Sequence, residues 1–193
     1  TAVRPFSKVD TARVRYLDDA ETRRLVNACA PDLRALVTAA LLTGCRYGEL
    51  IALKAADFNC DTGGLTIPLT KSGKPRHVWL TDEGRRFFTD ATAGRAPAAL
   101  VLVRVTGKLW RKAHAQRPLL DACKAAKIDP PASFHILRHT YASRLARLGV
   151  PMAVIAEQLG HADLRMTTKH YAHLSPGYVA ETVRAAFSSL GIV

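Results

Sequence analysis

The chain holds 193 residues, 48% of them hydrophobic and 23% charged, which supports a real core and excludes a mainly disordered chain. No apolar run approaches the roughly 18 residues that a helical membrane span requires; the longest lies around Ala35 to Leu42. Lys and Arg number 28 against 16 acids, a net charge of +12, and such an excess favours a polyanionic partner because each cation placed on a phosphate releases condensed counterions.

The length suits one sizeable domain, or a domain with a short appendage. The start, Thr1 to Asp10, is polar and basic with no apolar stretch of a secretory signal, and it lacks an initiator Met, so the chain reads as a fragment or a processed product. Cys29, Cys45, Cys60 and Cys123 are widely spaced with no CxxC pair, the pattern of reduced, mostly structural thiols in a cytosolic protein.

In chain order, an extended basic lead-in is expected over residues 1–17. Asp18 or Asp19 then caps a helix that runs through Leu25 to Cys29. Pro31 opens a second helix with the apolar set Leu33, Leu36, Val37 and Leu41, and Gly44 stops it. A short third helix is expected from Gly48 to Leu53. Two β-like runs follow, Leu65 to Leu69 and Arg76 to Leu80, separated by a turn from Thr70 to Pro75. Lys71 and Lys74 sit at the tip of this hairpin. Helices resume at about 82–92 and 108–126, and then in close succession from His135 onward. The fold class is mainly α with a small antiparallel β-sheet (α+β), with no internal repeat and no Pro/Gly/Ser linker dividing it. Over the last residues, Val179, Val183, Ala186, Phe187 and Leu190 recur at helical spacing. The basic excess is also local: from Arg104 to Lys127 there are seven Lys or Arg and one acid, Asp121. Phosphate contacts are expected here from Arg111, Lys112 and Arg117, with Lys74 and Arg76 added from the hairpin.

Three short segments can carry chemistry. After Pro130-Pro131, Ser133 can cap a helix reading Phe134-His135-Ile136-Leu137-Arg138-His139-Thr140. There His135 and Arg138 share a face near the helix start, a good place for an anion. Gly160 closes the helix from about Pro151 to Leu159 and projects His161 from a turn, and Thr167-Thr168-Lys169-His170-Tyr171-Ala172-His173 places an aromatic hydroxyl in polar company. In Thr43-Gly44-Cys45-Arg46-Tyr47-Gly48-Glu49-Leu50, Glu49 can orient the guanidinium of Arg46. The pairs His135/His139 and His170/His173 have metal-like spacing, but no acid or Cys completes either set, and no GxGxxG, P-loop or GxSxG is present. Neither a metal nor a cofactor is expected.

Taken in order, Arg46, Lys71, the His135-x-x-Arg138 pair, the Leu-Gly-His161 turn and Tyr171 resemble the catalytic set of the tyrosine recombinase, or phage integrase, family. The resemblance covers roughly residues 16 to 175. In many relatives the nucleophile lies nine residues after the Leu-Gly-His histidine, whereas His161 and Tyr171 are ten apart in this chain.

The resemblance implies a site-specific DNA recombinase that cleaves and rejoins strands through a 3′-phosphotyrosyl link on Tyr171. Arg46, Arg138 and His161 would then hold the phosphate, His135 would exchange a proton with Tyr171, Lys71 would protonate the leaving 5′-oxygen, and Glu49 would support Arg46. It also implies a lead-in over 1–17, a catalytic domain over 18–175 and a C-terminal helix over 176–193 that can be exchanged between protomers. The partners would be double-stranded DNA and three further copies in a homotetrameric synapse, with a monomer when isolated and no membrane. The setting would be the cytoplasm, with the protein bacterial or phage-encoded and DNA-associated. A type IB topoisomerase-like nicking and closing enzyme, or a non-catalytic DNA-binding module, are the alternatives.

Overall fold

The computed structural model describes residues 14–68, 75–111 and 113–175. Eight α-helices and three short strands are found among them. Helix α1 (Asp19–Ala28) starts where the sequence places a cap. The Asp18 carboxylate accepts from the Glu21 amide at 2.7 Å, while Glu21 accepts from the Asp18 amide at 3.0 Å. This reciprocal pair satisfies amides that would otherwise lack partners at the helix end. Pro31 opens α2 (Pro31–Thr43), and Gly44 ends it in the left-handed conformation with φ 63°. Helix α3 (Tyr47–Ala52) follows at once.

The hairpin expected from the sequence is extended by a third strand. Strand β1 (Phe58–Asn59) pairs antiparallel with β2 (Gly64–Ile67), which pairs antiparallel with β3 (Arg76–Trp79). Leu65 and Ile67 on β2, and Arg76 and Val78 on β3, point inward. Helix α4 (Asp82–Thr92) is capped by Thr81 and buries Phe88. One expected element is shorter than foreseen: in place of a helix over 108–126, α5 spans only Gln116–Ala125. Before it the chain doubles back, with Val103 bridging Leu109 and the Arg104 amide donating to the Lys108 carbonyl. Buried Trp110 holds this turn against the core, a contact between distant residues that outweighs local helix propensity.

Helix α6 (Phe134–Arg147), with Ser133 as its N-cap, is the central support. Its Leu137 enters the large core built by Leu25, Leu33, Leu36, Val37, Leu50, Leu65, Val78 and Phe88. One turn later, Tyr141, Ala142 and Ala146 enter a second cluster with Ile155, Leu159 and Tyr171, contributed by α7 (Met152–Leu159) and α8 (Leu164–Tyr171). The Thr140 hydroxyl, buried between them, accepts from the Leu17 amide and so ties the segment before α1 to α6. The expected lead-in over 1–13 and the apolar stripe from Val179 to Leu190 lie outside the described residues. No described helix is long and apolar enough to cross a membrane.

Gly44 is the tightest joint in this packing. A Cβ there would meet Cδ1 of Tyr141 in a contact far inside van der Waals range, on a backbone that side chains rarely adopt. Gly44→Ala should therefore lower unfolding free energy by about 2 kcal/mol or more, through overpacking and left-handed strain together. Urea unfolding followed by circular dichroism measures it.

Candidate active site

The site is assembled where the ends of α2 and α7 meet the starts of α3 and α6. Arg46 is the N-cap of α3, and Glu49, three residues on, turns back to it. The Glu49 carboxylate accepts from the Arg46 amide at 2.8 Å and from Arg46 Nη1 at 3.0 Å. It also receives the planar fork of Arg76 from β3, with Nη1–Oε1 at 2.8 Å and Nη2–Oε2 at 2.9 Å. Arg76 Nε donates to the Gln158 carbonyl at the end of α7.

This corrects one expectation from the sequence. Arg76 is only 8% exposed, so its guanidinium is committed to Glu49 and is not a surface contact for DNA. The strand alternation explains the difference, because Arg76 shares the inward face of β3 with Val78. Burial by itself would raise the Glu49 pKa, but the Arg76 and Arg46 hydrogen bonds outweigh it and hold the carboxyl below its usual range.

Arg138 is buried from the first turns of α6. Its Nη1 donates to the Gly44 carbonyl at 2.7 Å and its Nη2 to the Leu159 carbonyl at 2.5 Å. Both acceptors are carbonyls at helix C-termini, where unpaired oxygens and the helix dipole favour a cation. Gly160, with φ 66°, ends α7 so closely over Arg76 that a Cβ would lie 2.7 Å from Arg76 Cδ. Burial, then the neighbouring Arg46 and Arg76, bring the Arg138 pKa down to about 10. Arg46 and Arg76 thus share the one carboxylate of Glu49 while Arg138 rests on neutral carbonyls, and the site carries a positive excess.

The histidines respond to that excess. His161 leaves the turn after Gly160, with its Nδ1 held by the Thr167 hydroxyl at 2.8 Å, and burial, Arg138 and Arg46 push its pKa down to about 4. His135 is exposed on the first turn of α6, and burial of its ring, then Arg138 and Arg46, lower its pKa too. Arg46, Gly48, Ile51, Phe134, His135 and Arg138 surround an open cavity of about 550 Å³, with Tyr47 completing its wall.

Tyr171, at the end of α8, is 1% exposed. Its Oη lies 2.5 Å from Nδ1 of His139. The sequence reading pairs this hydroxyl with His135, but the structure places His139 against it, and the His135 ring packs edge-on to His139 at 4.3 Å between centroids. From the sequence His139 stands out only as half of a metal-spaced pair, and its contact with Tyr171 is a product of the fold. The available signal is its position one turn after His135, on the same helix face. Burial, then the neighbouring His135 and His170, lower the His139 pKa to about 4. Burial raises that of Tyr171 to about 12, with Arg138 opposing. At neutral pH the phenol is therefore protonated and shares a hydrogen bond with a neutral imidazole, whose tautomer sets the direction.

Of the expected DNA contacts, Arg111 and Arg117 are exposed. The Arg111 carbonyl accepts from the Tyr47 hydroxyl at 2.8 Å, which anchors that turn beside the site, and Arg117 pairs with Asp121 across one helical turn. Lys71, Lys74 and Lys112 lie outside the described residues. Among the described residues, no group of three or more His, Cys, Asp or Glu side chains is placed to hold a metal ion.

The model of the phage integrase family matches residues 15–177. The chain belongs to that family. It is 30% identical over 171 residues to the tyrosine recombinase XerA of Saccharolobus solfataricus, an alignment covering 88% of this chain and 56% of the relative. It is also 30% identical over 190 residues to the integrase of Salmonella phage P22, covering 93% and 49%. The chain thus spans about half the length of the curated relatives it matches. The crystal structure of the catalytic domain of the bacteriophage HP1 integrase superposes with a TM-score of 0.69 at 28% identity, covering 93% of this chain and 98% of that one. The helical fold with its small antiparallel sheet is that of a tyrosine recombinase catalytic domain.

Two outcomes follow for this integrase-family site. Glu49→Gln leaves buried Arg76 without its counter-charge, and should destabilise the protein by about 3–5 kcal/mol, far more than an exposed ion pair would. Chemical denaturation measures it. The second concerns pH: His139 and His161 titrate near 4 in the folded state but near about 6.5 unfolded. Between those values the unfolded chain binds more protons, so these groups contribute stability above about pH 6.5 that is lost as pH falls toward 4. The melting temperature should drop through that window, and His161→Gln should flatten part of the drop in differential scanning calorimetry.

Proposed function

We propose that the protein breaks and rejoins DNA strands by transesterification, as a site-specific recombinase acting through a 3′-phosphotyrosyl intermediate on Tyr171. The observation that supports this best is the cavity that Arg46, His135 and Arg138 line together, with His161 held by Thr167 after the end of α7 and Tyr171 buried against His139. A phosphodiester is anionic and repels a nucleophile, so the reaction needs fixed cations at the non-bridging oxygens as charge redistributes. Arg46 and Arg138 supply them, and His161 adds a hydrogen bond from a ring already oriented by Thr167. In the attack, Tyr171 Oη bonds to phosphorus, the bond to the 5′-oxygen breaks, and the phenolic proton passes to a histidine of the His135–His139 pair. Lys71 gives a proton to the departing 5′-oxygen. A 5′-hydroxyl then reverses the step, and because the phosphotyrosyl bond conserves the energy of the ester, no nucleotide cofactor is consumed.

Tyr171 is held at rest by His139 within the second core cluster. Reaction therefore requires it to leave that hydrogen bond for a phosphate placed between the arginines. The working unit in this reading is a tetramer on paired DNA duplexes, in the cytoplasm of a bacterial or phage-infected cell. Residues 18–175 carry the chemistry, and the segment over 176–193 links protomers. The kinship with named recombinases and integrases favours strand exchange over simple nicking and closing.

A denaturing gel tests the nucleophile. Duplexes from a randomised library that become covalently attached to the protein provide the substrate. Tyr171→Phe should abolish the adduct while leaving binding affinity within about threefold of wild type, since one hydroxyl contributes little to a phosphate-dominated interface. An undiminished adduct would overturn the assignment. Lys71 is tested with a substrate whose bridging 5′-oxygen is replaced by sulfur, a leaving group that needs no proton. Lys71→Ala should cleave the sulfur substrate well and the normal one poorly.

A further inference from the structure

Gly48, the second residue of α3, has no internal reason to be glycine. Its φ is not in the left-handed region, where Gly44 and Gly160 sit. A Cβ built on it would meet nothing within 4 Å among the described atoms. Alanine is a better helix former, so a helical glycine of this kind surrenders stability without gaining fit inside the protein. What it leaves open is the cavity beside Arg46, His135 and Arg138.

The lining of that cavity is of two chemical kinds. Arg46, Arg138 and His135 share it with Ile51, Phe134 and Tyr47, and the two aromatic rings pack at 4.7 Å between centroids. A bare phosphate would use only the charged groups. The cavity volume of about 550 Å³ lies within the range of pockets that enclose a small organic ligand. A nucleotide backbone unit matches both kinds of lining, because its phosphate is anionic and the carbon face of its sugar is apolar.

We propose that this cavity seats the deoxyribose adjoining the phosphate held by Arg46 and Arg138, and that Gly48 is the positioning residue that keeps space for it. The proposal rests on the reading of the site as a DNA-cleaving centre. In it, Gly48 has no close neighbour among the described residues because its neighbour is the DNA backbone. The Tyr47–Phe134 wall sets the sugar's orientation, and through it the line along which Tyr171 approaches phosphorus. A bulky side chain at position 48, or an added group on the sugar, would fill the same space from opposite sides.

The experiment uses the whole chain and a covalently captured duplex carrying single 2′-O-methyl nucleotides walked along the cleaved strand. A methyl group on a nucleotide adjoining the cleaved phosphate should slow single-turnover adduct formation by about tenfold or more, while the same group further away has no effect. Gly48→Leu should slow adduct formation on unmodified DNA to a similar degree, with a melting temperature at or above that of wild type, and Gly48→Ala should raise stability with a smaller loss of rate. Wild-type cleavage rates in Gly48→Leu, or 2′-O-methyl groups tolerated at both adjoining positions, would overturn the proposal. So would a fall in melting temperature in both variants, which would show that Gly48 serves the fold. If wild type forms no adduct with any duplex, or Tyr171→Phe forms it equally, the cleavage reading itself fails. If the adduct forms and ignores both perturbations, only the sugar seat fails.

Discussion

The carboxylate of Glu49 holds two guanidinia that would otherwise repel each other. One of them, Arg76, is buried between β3 and the end of α7, and the other, Arg46, faces the cavity. Two charges taken out of water cost several kcal/mol apiece unless geometry returns it, and here the return comes from a bidentate fork and from the Gln158 carbonyl. The same device recurs at Arg138, whose partners are the C-terminal carbonyls of two helices. The architecture follows from these needs. α2 and α7 must end where they do, and with glycines, so that carbonyls face the arginines and the backbone can pass close by.

A site held this way is preorganised for an anion. Burial first, and the neighbouring Arg138 and Arg46 second, hold the pKa values of His135 and His161 below the usual imidazole range. An anion placed between the arginines would cancel part of that field and raise both pKa values. Tyr171 stands in contrast: it is buried against His139, and burial keeps its phenol protonated. The two halves of the site belong to two different packing clusters joined by α6.

Much of this was legible in the sequence because it is local. The capping box at Asp18 and Glu21, the helix stops at Gly44 and Gly160, the cap at Ser133 and the Arg46–Glu49 pair each depend on residues a few positions apart. The alternation of the hairpin strands, the basic surplus and the ordered motifs that mark the family are likewise properties of the chain read from end to end.

Only the tertiary structure decided how distant segments share charges and space. Arg76 looked like one more surface cation until β3 was paired and its inward face met Glu49, 27 positions away in sequence. His139, rather than His135, meets Tyr171 because α8 folds back across α6, a docking that local periodicity does not encode. The stretch before Gln116 is not helical because Trp110 gains more from the core than those residues gain from a helix. Short-range spacing can be counted along a chain, whereas a buried ion pair or a hydrogen bond between remote helices exists only when packing brings both partners out of water together.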